Sequence, residues 1–262
     1  MPSTLTDKVA VISGGSRGIG RAIARKLAQE GCDCLLAARS EDKLRAAAEL
    51  IARESGRRVE ICPTDLRTLA GCEVVFEKVI EEFGRADILV NNAGATKSGL
   101  FLELDDNEWE DGFALKFYGA VRLSRLLWPM LKSSTGTVVN IIGGAARTPT
   151  PDFMIGGAVN AAMANFSKAL AGLGLRDDVN VNVIHPGKTV TDRLEELYAQ
   201  RAKLAGGTVE AIKQATIENS RIRRIGQPED VAELAYFLCS PQARHIQGAA
   251  ISVDGGATAG LY

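Results

Sequence analysis

Short runs of apolar and β-branched residues alternate along this chain with longer stretches in which apolar residues recur at helical spacing. Lys8 to Ser13 is followed by a helical pattern over Gly18 to Glu30, and Cys32 to Ala38 by one over Glu41 to Glu54. Arg58 to Cys62 precedes Leu69 to Phe83, and Asp87 to Val90 precedes a long helical region that reaches Lys132. Then come a strand over Thr137 to Ile142, a helix from about Asp152 to Leu175 and a strand over Asn180 to Ile184. A helix over Pro228 to Cys239 and a strand over Ala249 to Val253 close the series. Apolar strands separated by helix-length segments mean parallel strands with crossover helices, since such strands are covered on both faces. The pattern predicts an α/β fold, doubly wound about a central parallel sheet of about seven strands.

Nothing in the chain repeats and no stretch reads as a linker, so residues 1–262 are expected to form one domain. The segment Asp192 to Arg224 is charged and helical in composition, and it separates two units that would otherwise join directly. Insertions at the carboxyl ends of strands commonly cover a ligand, so residues 192–224 are expected to be a helical substrate lid. A surface helical excursion is the alternative.

Hydrophobic residues make up 46% of the 262 positions, ample for a sizeable core. With 31 basic against 32 acidic residues and no long run of either sign, neither nucleic acid nor an anionic membrane is favoured as a partner. No stretch approaches the roughly 20 apolar residues of a membrane span, and the first apolar run, Val9 to Ile12, leads into a glycine-rich turn. A cytoplasmic protein is expected. The five cysteines contain no Cys-x-x-Cys and have no paired histidine, so they are expected to be reduced packing residues, with no metal site.

Directly after the first strand comes Ser13-Gly14-Gly15-Ser16-Arg17-Gly18-Ile19-Gly20, and a helix begins at once. Glycines let a backbone approach phosphates closely, while the free N–H groups and dipole of a helix amino terminus favour an anion. Lying between strand and helix, the turn is a candidate phosphate cradle. The spacing Gly14-x-x-x-Gly18-x-Gly20 resembles that of the short-chain dehydrogenase/reductase family, with Ser13 in place of the usual threonine. Asn91-Asn92-Ala93-Gly94, His185-Pro186-Gly187 with Thr191, and Val253-Asp254-Gly255-Gly256 resemble further motifs of the family in the same order, so the likeness covers essentially the whole chain.

That resemblance implies a Rossmann fold, a nicotinamide cofactor and assembly as a homotetramer or homodimer. It implies cofactor contacts at Ser13, Gly14, Ser16, Arg17, Gly18, Ile19 and Gly20, and at Asp65 and Leu66 beside the adenine. Asn91, Ala93 and Gly94 would wall the adenosine, and Pro186, Gly187, Thr189 and Thr191 would flank the nicotinamide. NAD sites keep an acid after the second strand for the ribose hydroxyls, whereas NADP sites supply positive charge. Ala37-Ala38-Arg39-Ser40 holds no acid, and Arg39 with Arg17 resembles the arginine pair of NADP-preferring members. NADP(H) is therefore expected over NAD(H), since an arginine fork suits a phosphate dianion; the alternative is two solvated surface arginines.

The family's chemistry rests on a serine after the fifth strand and a Tyr-x-x-x-Lys on the next helix. In this sequence Gly143 stands at the serine position, Gly156 at the tyrosine position and Asn160 at the lysine position. The register is firm, because Asn160 to Ala171 continues as the family does after its lysine, and no tyrosine is followed by lysine four residues later. Lys116, on the preceding helix, stands where many members have an asparagine. Lys116 is expected to reach the space left at Gly156 and Asn160 and to polarise a carbonyl or pass a proton, making Lys116 and Asn160 the catalytic candidates. A surface lysine paired with a carboxylate is the alternative. A positioned acid or base is worth about 10² to 10⁴ in rate, so its loss need not abolish hydride transfer.

Phe101, Phe153, Met154, Leu194, Leu197 and Tyr198 are expected near the substrate, which would make the pocket apolar; the same residues would serve equally as lid packing. His185 precedes the Pro-Gly turn and is read as structural. The expected function is an atypical NADP(H)-dependent oxidoreductase for a small apolar carbonyl or alcohol. Its rivals are a catalytically silent NADP(H) sensor or scaffold, and non-redox elimination or isomerisation on the same frame.

Overall fold

The expected strands form as β1 (Val9–Ser13), β2 (Asp33–Ala38), β3 (Val59–Pro63), β4 (Ile88–Asn91), β5 (Thr137–Ile141), β6 (Asn180–Pro186) and β7 (Ala250–Val253) in a computed structural model. The structure describes residues 5–259; positions 1–4 and 260–262 of the expected domain lie outside the described residues. All strands join in one parallel sheet in the order β3-β2-β1-β4-β5-β6-β7. The direction of winding reverses between β1 and β4, so helices must cover both faces.

Alternation within each strand sorts the core into two layers. Ala10, Ile12, Leu36, Val90 and Val139 pack against α1 (Gly18–Gln29), α2 (Glu41–Ser55) and α9 (Pro228–Cys239). Val11, Leu35, Leu89 and Val138 face the other way, toward α3 (Leu69–Phe83), α5 (Gly119–Ser133) and α6 (Met154–Asp177). The five cysteines are free and buried in these layers, and burial pushes the Cys62 and Cys72 thiols up to about 11. Among the described residues no helix is long and apolar enough to cross a membrane.

The long helical region expected before Lys132 is broken. Asp105 and Glu108 form a capping box that starts a separate helix, α4 (Asp106–Phe113). A π-helical turn, Ala114–Tyr118, joins it to α5, with the Gly119 N–H donating to the Ala114 carbonyl five residues back. The insertion resolves into α7 (Asp192–Ala205), capped by the Thr191 hydroxyl and ended at Gly206, and α8 (Val209–Ser220), capped by Thr208. β6 runs on to Pro186, two residues past its expected end, which places His185 in register with Ser252.

Parallel strands give the sheet two unlike edges. At the amino edge the buried Asp87 carboxylate accepts from the Val9 N–H at 2.9 Å and meets Lys8 and Arg85. The Asn180 side chain there donates to the Arg244 and Ile246 carbonyls. At the carboxyl edge lie the loops that follow Ser13, Asn91, Ile141 and Pro186, and these enclose the site.

Candidate active site

Gly14 and Gly18 adopt φ of 69° and 54°, which side chains disfavour. Space closes the same positions: a Cβ on Gly14 would lie 2.8 Å from Asn92 Nδ2, and one on Gly20 would strike the Gly14 carbonyl. Arg17, at the N-cap of α1, gives the helix no side-chain cap, so the amino terminus that follows this turn is not closed by its own N-cap residue. Ser13 works behind the wall. Its hydroxyl accepts from the Asn92 and Ala93 N–H groups at 3.0 Å each and donates to the Val90 carbonyl, tying the β1 loop to the β4 loop.

A cavity of about 480 Å³ opens beside this turn, walled by Gly14, Ser16, Arg17, Arg39, Ser40, Lys43, Thr64, Leu66, Ala93 and Gly94. Arg17, Arg39 and Lys43 are exposed, and none forms a salt bridge among the described residues. Lys43 escaped the sequence reading, although a base in the first turn after Ser40, on the helix following Arg39, was its signal. Asp65, expected beside the adenine, is bonded to Arg67, which donates to both of its oxygens and holds the carboxyl below the usual carboxylate range. Its neighbours Thr64 and Leu66 line the cavity.

A second cavity of about 630 Å³ shares the Gly14 to Arg17 and Ala93 to Gly94 walls and adds Gly18, Ile19, Lys116, Ile141, Gly143, Pro186, Gly187 and Thr191. Lys116, carried by the π turn, lays its stem over Gly94, where a Cβ would come within 3.0 Å of Lys116 Cδ. Thr189 stays out of this wall, buried with its hydroxyl on the Gly187 carbonyl. Asn91 lies beneath, its amide donating to Asn140 Oδ1 at 2.8 Å and to Ser124.

Asn160 is 3% exposed and its amide is committed at both ends. Its oxygen accepts from the Gly143 N–H at 2.9 Å, and its nitrogen donates to the Gly156 carbonyl at 2.6 Å. It therefore fixes the Gly143 loop to α6. Gly156 is covered too, because the Phe153 ring packs on it so closely that a Cβ would overlap the ring.

The third cavity, about 450 Å³, shares Gly143, Pro186 and Gly187 with the second. Phe153 and Leu197 line it as expected; Phe101 and Met154 are exposed outside its wall, and Leu194 supplies an N–H to the Thr191 cap. Tyr198, on α7, is 1% exposed. Thr148, Thr150, Asp152, Lys188 and Arg201 also line it, so its lining mixes apolar and polar side chains. His185 also reaches it. Its Nδ1 faces the Ile142 carbonyl at 2.8 Å, which only accepts, so that nitrogen carries the hydrogen and Nε2 is left as the acceptor. Burial holds the imidazole below its ordinary range, and the charges of Arg147 and Lys116 add to this.

Comparison with known proteins bears on the whole of this arrangement. A family model described as enoyl-(acyl carrier protein) reductase matches residues 14–258. An uncharacterized oxidoreductase of Mycobacterium tuberculosis is 37% identical over 97% of this chain and 93% of its own. The 2,3-dihydro-2,3-dihydroxybenzoate dehydrogenase of Bacillus subtilis is 33% identical over 98% of both. Among solved structures, L-sorbose reductase from Gluconobacter frateurii, complexed with NADPH and L-sorbose, superposes with a TM-score of 0.96 at 36% identity over 100% of both chains.

Proposed function

The chain belongs to the short-chain dehydrogenase/reductase family, and from that premise we propose that it is an NADP(H)-dependent oxidoreductase with an atypical site, interconverting a small carbonyl compound and its alcohol. One observation carries this reading: cavities with shared walls run from Arg17, Arg39 and Lys43 at one end to Lys116, Gly143 and His185 at the other. The residues fit the cofactor. The Gly14 turn leaves room that a side chain would fill, the first N–H groups of α1 suit a pyrophosphate, and the cationic trio suits a 2′-phosphate. The NADPH held by the sorbose reductase supports the same choice.

When bound, the nicotinamide supplies or accepts the hydride. The protein's own task is to place the carbonyl beside Gly143 and to handle one proton at its oxygen. Lys116 polarises that oxygen and passes the proton, in the place of the tyrosine that Gly156 does not provide. Asn160 is a positioning residue that fixes the Gly143 backbone. Leu197 and Arg201 bring α7 to the cavity, which supports residues 192–224 as its cover. The apolar part of the substrate rests on Phe153 and Leu197. The setting is cytoplasmic and the assembly a homodimer or homotetramer, as the resemblance implies. The relatives described above are oxidoreductases, which disfavours a silent sensor.

Lys116→Met tests the assignment. NADPH affinity, measured by calorimetry, should stay unchanged while kcat for carbonyl reduction falls by about 10² to 10⁴. Unchanged turnover would remove Lys116 from the chemistry, and failure of the parent protein to bind NADPH would remove the oxidoreductase reading itself.

A further inference from the structure

Resting on that oxidoreductase reading, we propose that His185 is the proton-relay residue for Lys116, returning through the cavity beside Gly143 the proton that each carbonyl reduction consumes. The two groups approach Gly143 from different cavities. Lys116 lines the second and His185 the third, while Gly143, Pro186 and Gly187 line both. The imidazole is 3% exposed and lies against the Gly143 backbone as well as the Ile142 carbonyl. The bond from Nδ1 to that carbonyl fixes the tautomer and leaves Nε2 as the nitrogen that titrates.

Proton balance calls for such a group. Each reduction moves a hydride from the bound nicotinamide to the carbonyl carbon and a proton from the Lys116 ammonium to the oxygen, which leaves Lys116 a neutral amine. That amine must be recharged before the next turnover. The second cavity is where the nicotinamide end of the cofactor is expected, whereas the third continues past the Gly143 wall to side chains in solvent, Lys188 and Arg201 among them. Imidazolium at His185 gives its Nε2 proton to the amine by way of water in the joined cavities, and the neutral ring then takes a proton from solvent. An aliphatic amine is a stronger base than an imidazole, so the transfer runs downhill. The charged groups around the ring are Arg147 after β5, Lys116 on the π turn, and Asp254 and Lys188 along the same cavity. Burial first, then Arg147 and Lys116, hold the imidazole below its ordinary range, which makes its cation a readier donor.

The experiment joins kinetics on a panel of aliphatic and aromatic ketones to NMR titration of the two histidines in the full chain. His185→Asn keeps an amide nitrogen where Nδ1 stands and removes Nε2, so the bond to Ile142 is retained; His185→Gln is the second variant. In both, kcat for NADPH-dependent reduction should fall about tenfold or more, with kcat/KM nearly unchanged because the proton returns after the hydride has moved. Free imidazole in the buffer should restore kcat in the variants and leave the parent alone. Parent kcat should fall as pH rises through the titration of the ring, a limb that the variants lack. In the cofactor-free protein, Lys116→Met should raise the His185 pKa and leave that of His245, at the amino edge, where it was. Unchanged kcat in the variants, a loss that imidazole does not restore, or a His185 pKa indifferent to Lys116 would each overturn the relay while the redox reading stands. No ketone reduction by the parent would end the redox reading, and the relay with it.

Discussion

Phe153 and Gly156 occupy one volume between them. The ring of the first lies where a side chain on the second would begin, so the glycine is required by its neighbour. Gly156→Ala should cost about 1–3 kcal/mol through overpacking. Combined with Phe153→Ala it should cost much less, because the clash is gone; urea unfolding of both singles and the double reads the coupling. Additive costs would mean that the ring does not occupy that place in solution. The sequence placed Gly156 correctly on its helix but gave no sign of what covered it, because Phe153 sits in the irregular turn before α6, where no periodicity marks a direction. Asn160 was legible only in part, for a related reason. A polar residue at a family's catalytic position looks reactive, and only its two hydrogen bonds and 3% exposure reveal a brace.

Elements were legible where burial is periodic. The strands of the sheet could be read because they are short runs rich in apolar and β-branched residues set between helix-length segments, and α1 to α3 because their apolar stripes begin and end at turn residues. The π turn could not be read, since the widened turn at Ala114 to Tyr118 is settled by how α4 and α5 pack, and residue type alone does not encode that. A second joint of this kind fixes α5 to α6. Trp128 Nε1 and Lys132 Nζ reach from α5 to the buried Asp177 at 2.9 and 3.0 Å, and Arg176 adds a third donor. Arg176 foremost, then Trp128 and Lys132, hold this carboxyl well below the usual range. The unfolded chain therefore takes up this proton at higher pH than the folded one, and the stabilisation present at neutral pH is lost as pH falls. Asp177→Asn should be less stable at neutral pH and show a flatter fall in Tm between about pH 5 and pH 2. Parallel curves for the two proteins would deny the joint any part in acid stability.

At the scale of the molecule, the cofactor groove draws on loops after β1, β2, β3, β4, β5 and β6, so a dinucleotide would tie most of the sheet together. Saturation at about a hundred times Kd adds roughly 2.7 kcal/mol to the folded state by mass action. NADPH should therefore raise Tm by several degrees and more than NADH at equal concentration, and Arg39→Ala should erase the difference. Equal shifts in the parent protein would deny Arg39 a phosphate. The two edges of the sheet set a further condition. Asp87 and Asn180 secure the amino edge, whereas Gly143, Lys116 and Arg39 crowd the carboxyl edge, at the opposite ends of the strands. Over evolutionary time, a lineage built this way could drift from one reaction to another, even discarding its ancestral proton donor, while every intermediate ancestor remained folded.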